Sequence, residues 1–144
     1  MRALGLDVGD RRIGVALSDA LGLTAQRLTV LERQGISTDV EAVQRLIDRH
    51  RVDMVIVGLP LTLRGEQGPQ ANKVTAFSAA LSRRIAVPVE LIDERLTTVQ
   101  GARALREMGT TRKKQKAVID QVAAQLILQQ FLDRQRAGSA RAPD

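Results

Sequence analysis

Four carboxylates fall where one apolar run of this sequence gives way to the next. Asp7 closes the short run Ala3–Leu6, Asp93 and Glu94 follow the run Val87–Ile92, and Asp120 sits early in a helical pattern. An Asp at the end of a buried strand is costly unless a metal ion, an arginine or backbone donors lie beside it. Asp120 carries the most information. Ala123, Ala124, Ile127 and Phe131 stand three, four, seven and eleven residues after it, which is the spacing of one helix face. Asp120 therefore continues an apolar stripe, and the two alanines let that helix lie close to its neighbour. Carboxylates converging from three elements need a shared cation. With no Cys and one His in 144 residues, the donors are oxygens, a set suited to Mg²⁺ or Mn²⁺. Two such ions about 4 Å apart activate a water and steady the departing oxygen of a phosphodiester. Phosphodiester hydrolysis is the chemistry indicated.

Each acidic residue alone has a plainer use. Asp7 serves as a turn or cap residue, Asp93 as the cap of a following helix, and Asp120 as a charge at a helix start. The combination, set in a basic chain, favours the site. Lys and Arg number 22 against 16 Asp and Glu, for a net charge of +6, and only four of the 22 are Lys. GC-rich codon usage explains the Arg preference equally well, but not the positive excess. A basic surface favours a polyanionic partner, and arginine grips phosphate bidentately. Nucleic acid is the partner expected.

Trp and Tyr are absent, and Phe77 and Phe131 both fall at core spacing, so bases have no aromatic platform to stack on. The grip would come through backbone charge and shape. Arg112, Lys113, Lys114 and Lys116 precede the Asp120 helix, Arg11 and Arg12 lie in the turn after Asp7, and Arg95 adjoins Glu94. These are the candidate nucleic-acid contacts. A merely solvated charge run is the plainer reading of the first group, and pairing with Asp10 the plainer reading of Arg11 and Arg12. His50 reads as a surface residue. No apolar leader and no run of membrane-spanning length stand out, so a soluble cytoplasmic protein is expected.

The elements that must position these residues follow from periodicity. Strands are expected near Ala3–Asp7, Ile13–Ser18 and Gln26–Leu31, the second with Ile13, Val15 and Leu17 on one face and Gly14, Ala16 and Ser18 on the other. In the third, Leu28 and Val30 share a face. A helix begins near Ser37, where Thr38–Glu41 has capping-box spacing, and its apolar stripe is Val40, Val43, Leu46 and Ile47. Met54–Val57 reads as a strand buried on both faces. A second helix has Val74, Phe77 and Leu81 as its core face, and a fifth strand covers Val87–Ile92. A short helix over Thr98–Met108, a basic loop over Thr110–Gln115 and a long helix over Lys116–Arg134 complete the pattern. Antiparallel strands followed by crossover units predict an α/β fold, a mixed five-stranded sheet flanked by helices on both faces. The strand after the first helix then lies beside strand one, and the carboxyl ends of strands one, four and five share an edge.

These residues resemble the YqgF/RuvX family of bacterial proteins. The resemblance rests on Leu4–Asp19 (LGLDVGDRRIGVALSD), Val57–Leu61 (VGLPL) with Gly65 and Gly68-Pro69, Asp93–Thr98 (DERLTT) and Asp120–Gln129 (DQVAAQLILQ). It implies a ribonuclease H-like nuclease domain, taken over residues 1–136, while the small and polar residues of 137–144 read by composition as a disordered tail. It also implies a nuclease maturing the 5′ end of pre-16S ribosomal RNA, or a Holliday junction resolvase. The family's acidic triad falls on Asp7, Glu94 and Asp120, which would be the catalytic and metal-binding residues. Related RuvC-type resolvases carry a glutamate after the fourth strand, where this chain has Gly58. The resemblance assigns its place to Glu94, with Asp93 as the alternative, although adjacent strand residues point to opposite faces.

Three function classes remain in competition. A metal-dependent nuclease on structured nucleic acid leads. If its substrate is a DNA junction it must cut two strands symmetrically and should be a homodimer, whereas RNA processing carries no such requirement. An ATP-dependent phosphotransferase also opens with Asp-x-Gly in a strand-turn-strand, but needs two lobes, and this chain has room for one. A non-catalytic RNA- or ribosome-binding factor would have little use for intact carboxylates.

Overall fold

The strand that carries Asp7 is buried from end to end, because it lies at the centre of the sheet. The computed structural model describes residues 1–94 and 113–140. Strands β1 (Ala3–Val8), β2 (Arg12–Ser18) and β3 (Ala25–Glu32) are followed by helix α1 (Ile36–His50), strand β4 (Met54–Leu59), helix α2 (Pro69–Arg84), strand β5 (Val89–Asp93) and helix α3 (Lys113–Ala140). The sheet order is β3-β2-β1-β4-β5. β1, β2 and β3 pair antiparallel, while β4 and β5 run parallel to β1. The mixed sheet expected from the element pattern is the one observed. The expected helix over Thr98–Met108 lies outside the described residues.

Alternation along β1 divides the interior in two. Leu4, Leu6 and Val8 point to one face, where Val40, Val43 and Ile47 of α1 and Val74, Phe77 and Leu81 of α2 cover them. The opposite face of the sheet, with Ala3, Ala16, Ile56 and Ile92, is covered by Ala123, Ala124, Ile127, Leu128, Phe131 and Leu132 of α3. The first interior is built from large branched side chains and the second from small ones on the sheet side. α3 consequently lies unusually close. An ideal Cβ on Gly14 would stand 1.9 Å from the Asp120 carbonyl oxygen, and one on Gly5 would meet the Leu128 Cβ at 2.7 Å. Polar side chains of α3 grip both sides of the sheet. Gln125 and Gln129 bond the backbone of Leu23 and Ala25 at the start of β3, and Gln130 donates to the Asp93 carbonyl at the end of β5.

Three expectations change at this level. The register between β2 and β3 slips after Val15↔Thr29 to Ala16↔Arg27, which leaves Leu28 as an extra residue. Leu28 and Leu31, rather than Leu28 and Val30, therefore pack against the α1–α2 side. Thr38 does not cap α1. The N-cap is Gly35, and the buried Asp39 does the fastening, its carboxylate accepting the Gln34 N–H at 3.0 Å and Arg33 Nε at 3.1 Å. Arg33 also donates to the Gly9 carbonyl and lies over the Phe77 ring, so one side chain ties the β1–β2 turn to both helices. Finally, α3 runs from Lys113 to Ala140, beyond the expected Lys116–Arg134 at both ends, so residues 113–115 of the expected basic loop are helical. Among the described residues no helix is long and apolar enough to cross a membrane.

Gly14→Ala should lower stability by about 3 kcal/mol, because the backbone of α3 cannot yield to the added methyl without leaving the sheet. Urea unfolding with an unchanged slope and a lower midpoint is the expected outcome.

Candidate active site

The edge formed by the carboxyl ends of β1, β4 and β5 is where the acidic residues gather, and register decides which way each points. Gly5 faces α3, so Asp7, two residues on, faces it as well. Asp7 pairs with Gly14 of β2, and one step beyond Leu6↔Val57 its other neighbour is Gly58 of β4. Each glycine makes room for a different carboxylate. Gly14 lies beneath the backbone of Asp120, and the Glu94 Oε2 sits 2.3 Å from where a Cβ on Gly58 would be. Asp7 thus stands between Asp120 on one side and Glu94 on the other, all three on the α3 face. Their exposures are 0% for Asp7, 0% for Glu94 and 2% for Asp120.

Glu94 follows β5 directly, and its N–H reaches the Leu59 carbonyl at 3.4 Å. Ile92 packs toward α3, so alternation sends Asp93 the other way and Glu94 back toward the helix. Asp93 is half-buried and offers its backbone carbonyl to Gln130. The space above Gly58 is filled by the end of the Glu94 side chain. A residue with a side chain at position 58 and a glutamate at position 94 would contend for the same volume.

Asp120 is the eighth residue of α3, two turns in and buried, so the helix-start explanation of its charge does not apply. Its Oδ2 accepts from Arg12 Nε at 2.9 Å, an ion pair whose side chains are 10% and 3% exposed. Arg12 was one of two residues with Asp10 as an alternative partner. The structure instead joins Asp10 to Lys73 at 3.2 Å on the surface. Arg11 is exposed beside it. Lys116 lies one turn before Asp120 and is partly exposed, and Lys113 and Lys114 begin the same helix. Arg95 and Arg112 lie outside the described residues. His50 ends α1 with its carbonyl bonded by Arg2, far along the chain from the acidic row.

The carboxylates form a row, not a ring. Neighbouring strands lie roughly 4.8 Å apart, so groups based above β2 and β4 flank one above β1 at both sides. Among the described residues, no three His, Cys, Asp or Glu side chains gather tightly enough to hold one metal ion between them. The Arg12 guanidinium lies on the outer member of the row. Hard oxygen donors still fit Mg²⁺ or Mn²⁺. Mg²⁺ in particular uses one or two carboxylates, with water and substrate oxygens completing its shell. The pairing of Arg12 with Asp120 is what the sequence did not indicate, since Asp10 stands far nearer in the chain.

A mixed five-stranded sheet in this order, with helices on both faces, is the ribonuclease H-like fold. RuvC of T. thermophilus, solved with a Holliday junction substrate, has the same fold, with a TM-score of 0.60 at 18% identity over 95% of this chain and 96% of that one. The family model described as "RuvX: Holliday junction resolvase" matches residues 1–134, and the chain belongs to that family. A protein of Moorella thermoacetica named "Putative pre-16S rRNA nuclease" is 49% identical over 134 residues, covering 93% of this chain and 96% of its own. A protein of the same name from Clostridium kluyveri is 44% identical over 134 residues, covering 93% and 98%.

Gly58→Ala would push a methyl group onto the Glu94 carboxylate and Ile127. Because the glutamate end is the softer neighbour, the expected outcome is about 1–3 kcal/mol of lost stability. Nuclease activity should fall at the same time by an amount that Glu94→Gln, added to Gly58→Ala, barely deepens.

Proposed function

We infer that this protein is a divalent-metal-dependent nuclease that processes the 5′ end of pre-16S ribosomal RNA. The observation that carries the reading is the row Glu94–Asp7–Asp120, buried beneath α3 at the edge where ligands of open α/β sheets bind. Burying three carboxylates in so dry a place as charged groups would cost several kcal/mol each without cations to compensate them. Asp7, Glu94 and Asp120 would hold Mg²⁺ or Mn²⁺, which supplies an activated water and neutralises charge on the phosphate. Asp7, central in the row, can serve a cation on either side. Glu94 and Asp120 each bound the row at one end, and the close packing of α3 keeps all three fixed while substrate enters.

Affinity comes from other residues. Arg11 is exposed in the turn after β1, Lys116 lies one turn before Asp120, Lys113 and Lys114 open the same helix, and Arg95 and Arg112 are close to the acids in sequence. Contacts of this kind hold a nucleic-acid backbone without reading its bases. Ribosomal RNA is favoured as substrate by the names of the relatives at 49% and 44% identity. The family description favours a second reading, resolution of a four-way DNA junction, for which two such sites must act together in a homodimer. Both readings place the protein in the cytoplasm.

Asp7→Asn and Asp120→Asn should each lower cleavage of a labelled pre-16S fragment by about 10²–10³-fold. Binding should change little, because phosphate contacts rather than the acids supply it. Removing divalent ions with EDTA should abolish cleavage in the wild type, and Mn²⁺ or Mg²⁺ should restore it. Offering precursor RNA, four-way junction and plain duplex side by side assigns the substrate. Equal cleavage by wild type and Asp7→Asn would sink the nuclease reading.

A further inference from the structure

We propose that Arg12 is a displaceable counter-ion. Its guanidinium neutralises Asp120, yields that carboxylate to a divalent cation, and passes to a substrate phosphate. The proposal rests on the metal-dependent reading above. Arg12 Nε lies 2.9 Å from Asp120 Oδ2, and neither side chain is more than a tenth exposed. A pair so dry is strongly coupled, and three buried acids in a row need positive charge nearby. A divalent cation on Asp120 would be a second positive charge against the guanidinium, and the two repel at such range.

The backbone determines which partner must move. Arg12 and Gly14 are alternate residues of β2, and Gly14 holds the carbonyl of residue 120 in close contact. Asp120 cannot retreat with its helix, so the exchange falls to the Arg12 side chain. Arg12 begins β2 directly after the exposed Arg11 and is itself partly exposed at the end of that strand. There it meets the edge along which a nucleic-acid backbone would run. A guanidinium suits phosphate as well as carboxylate, through paired N–H donors. The charge count then stays balanced: metal replaces arginine on Asp120, and phosphate replaces Asp120 on arginine.

Mn²⁺ binding by calorimetry tests the exchange in wild type, Arg12→Gln and, as a control of equal charge change, Arg11→Gln. Arg12→Gln should bind Mn²⁺ about five- to tenfold more tightly, and Arg11→Gln should match the wild type. Arg12→Gln should also melt several degrees lower in EDTA and recover in excess Mn²⁺. Without any variant, the Arg12 Nε–H resonance of ¹⁵N-labelled wild type should shift and lose exchange protection on saturation with Mg²⁺. Unchanged Mn²⁺ affinity in Arg12→Gln, equal tightening in Arg11→Gln, or an unmoved Nε–H signal would each overturn the proposal while leaving the nuclease reading intact. Failure of the wild type to bind Mn²⁺ or Mg²⁺ at all would overturn both.

Discussion

Close contact between α3 and the sheet is the constraint on which this molecule depends. A helix bearing an acid on its buried side can bring it to a strand end only if the surfaces between them are nearly bare. Here the sheet supplies Gly5, Gly14 and Ala16, and the helix supplies Ala123 and Ala124. The contact on Gly14 fixes the backbone of residue 120 directly, so the position of its carboxylate is set by packing rather than by a flexible loop. The same closeness keeps water scarce around the acids and strengthens every charge interaction there. Stability and chemistry are therefore governed by one interface.

The two faces of the sheet divide the labour. On the α1–α2 side, Leu4, Leu6, Val8, Phe77 and Leu81 form a thick apolar interior. Arg33 and Asp39 stand at its margin and tether the turn after β1 to the start of α1. That tether lies behind the acidic row and gives the turn carrying Arg11 and Arg12 a fixed base. On the α3 side the interior is thinner and ends in charge. Hydrophobic burial on one side thus offsets the expense of burying carboxylates on the other.

Much of this was legible in the residue order. Strand ends closed by Asp7 and by Asp93-Glu94, and an acid that prolongs the stripe Ala123–Phe131, gave both the sheet edge and the helix face correctly. Crossover connections then placed β4 beside β1. What escaped was whatever depends on side chains far apart in the chain. The partner of Arg12 lies 108 positions away, and nothing nearby in sequence distinguishes it from Asp10. The slip at Leu28 is invisible because an extra residue in an edge strand leaves the apolar count unchanged. Asp39 was hidden by a capping pattern at Thr38–Glu41 that the backbone does not use, since Gly35 already makes the turn.

The position of α3 has a consequence for synthesis. A nascent chain that has emerged only through Glu94 carries Asp7 and Glu94 but lacks Asp120, and the sheet face of Ala3, Ala16, Ile56 and Ile92 is without its cover. Such a fragment has an incomplete acidic row and is prone to stick to other apolar surfaces. The segment that completes the acidic row is therefore also the one that shields the sheet, and both arrive together with α3.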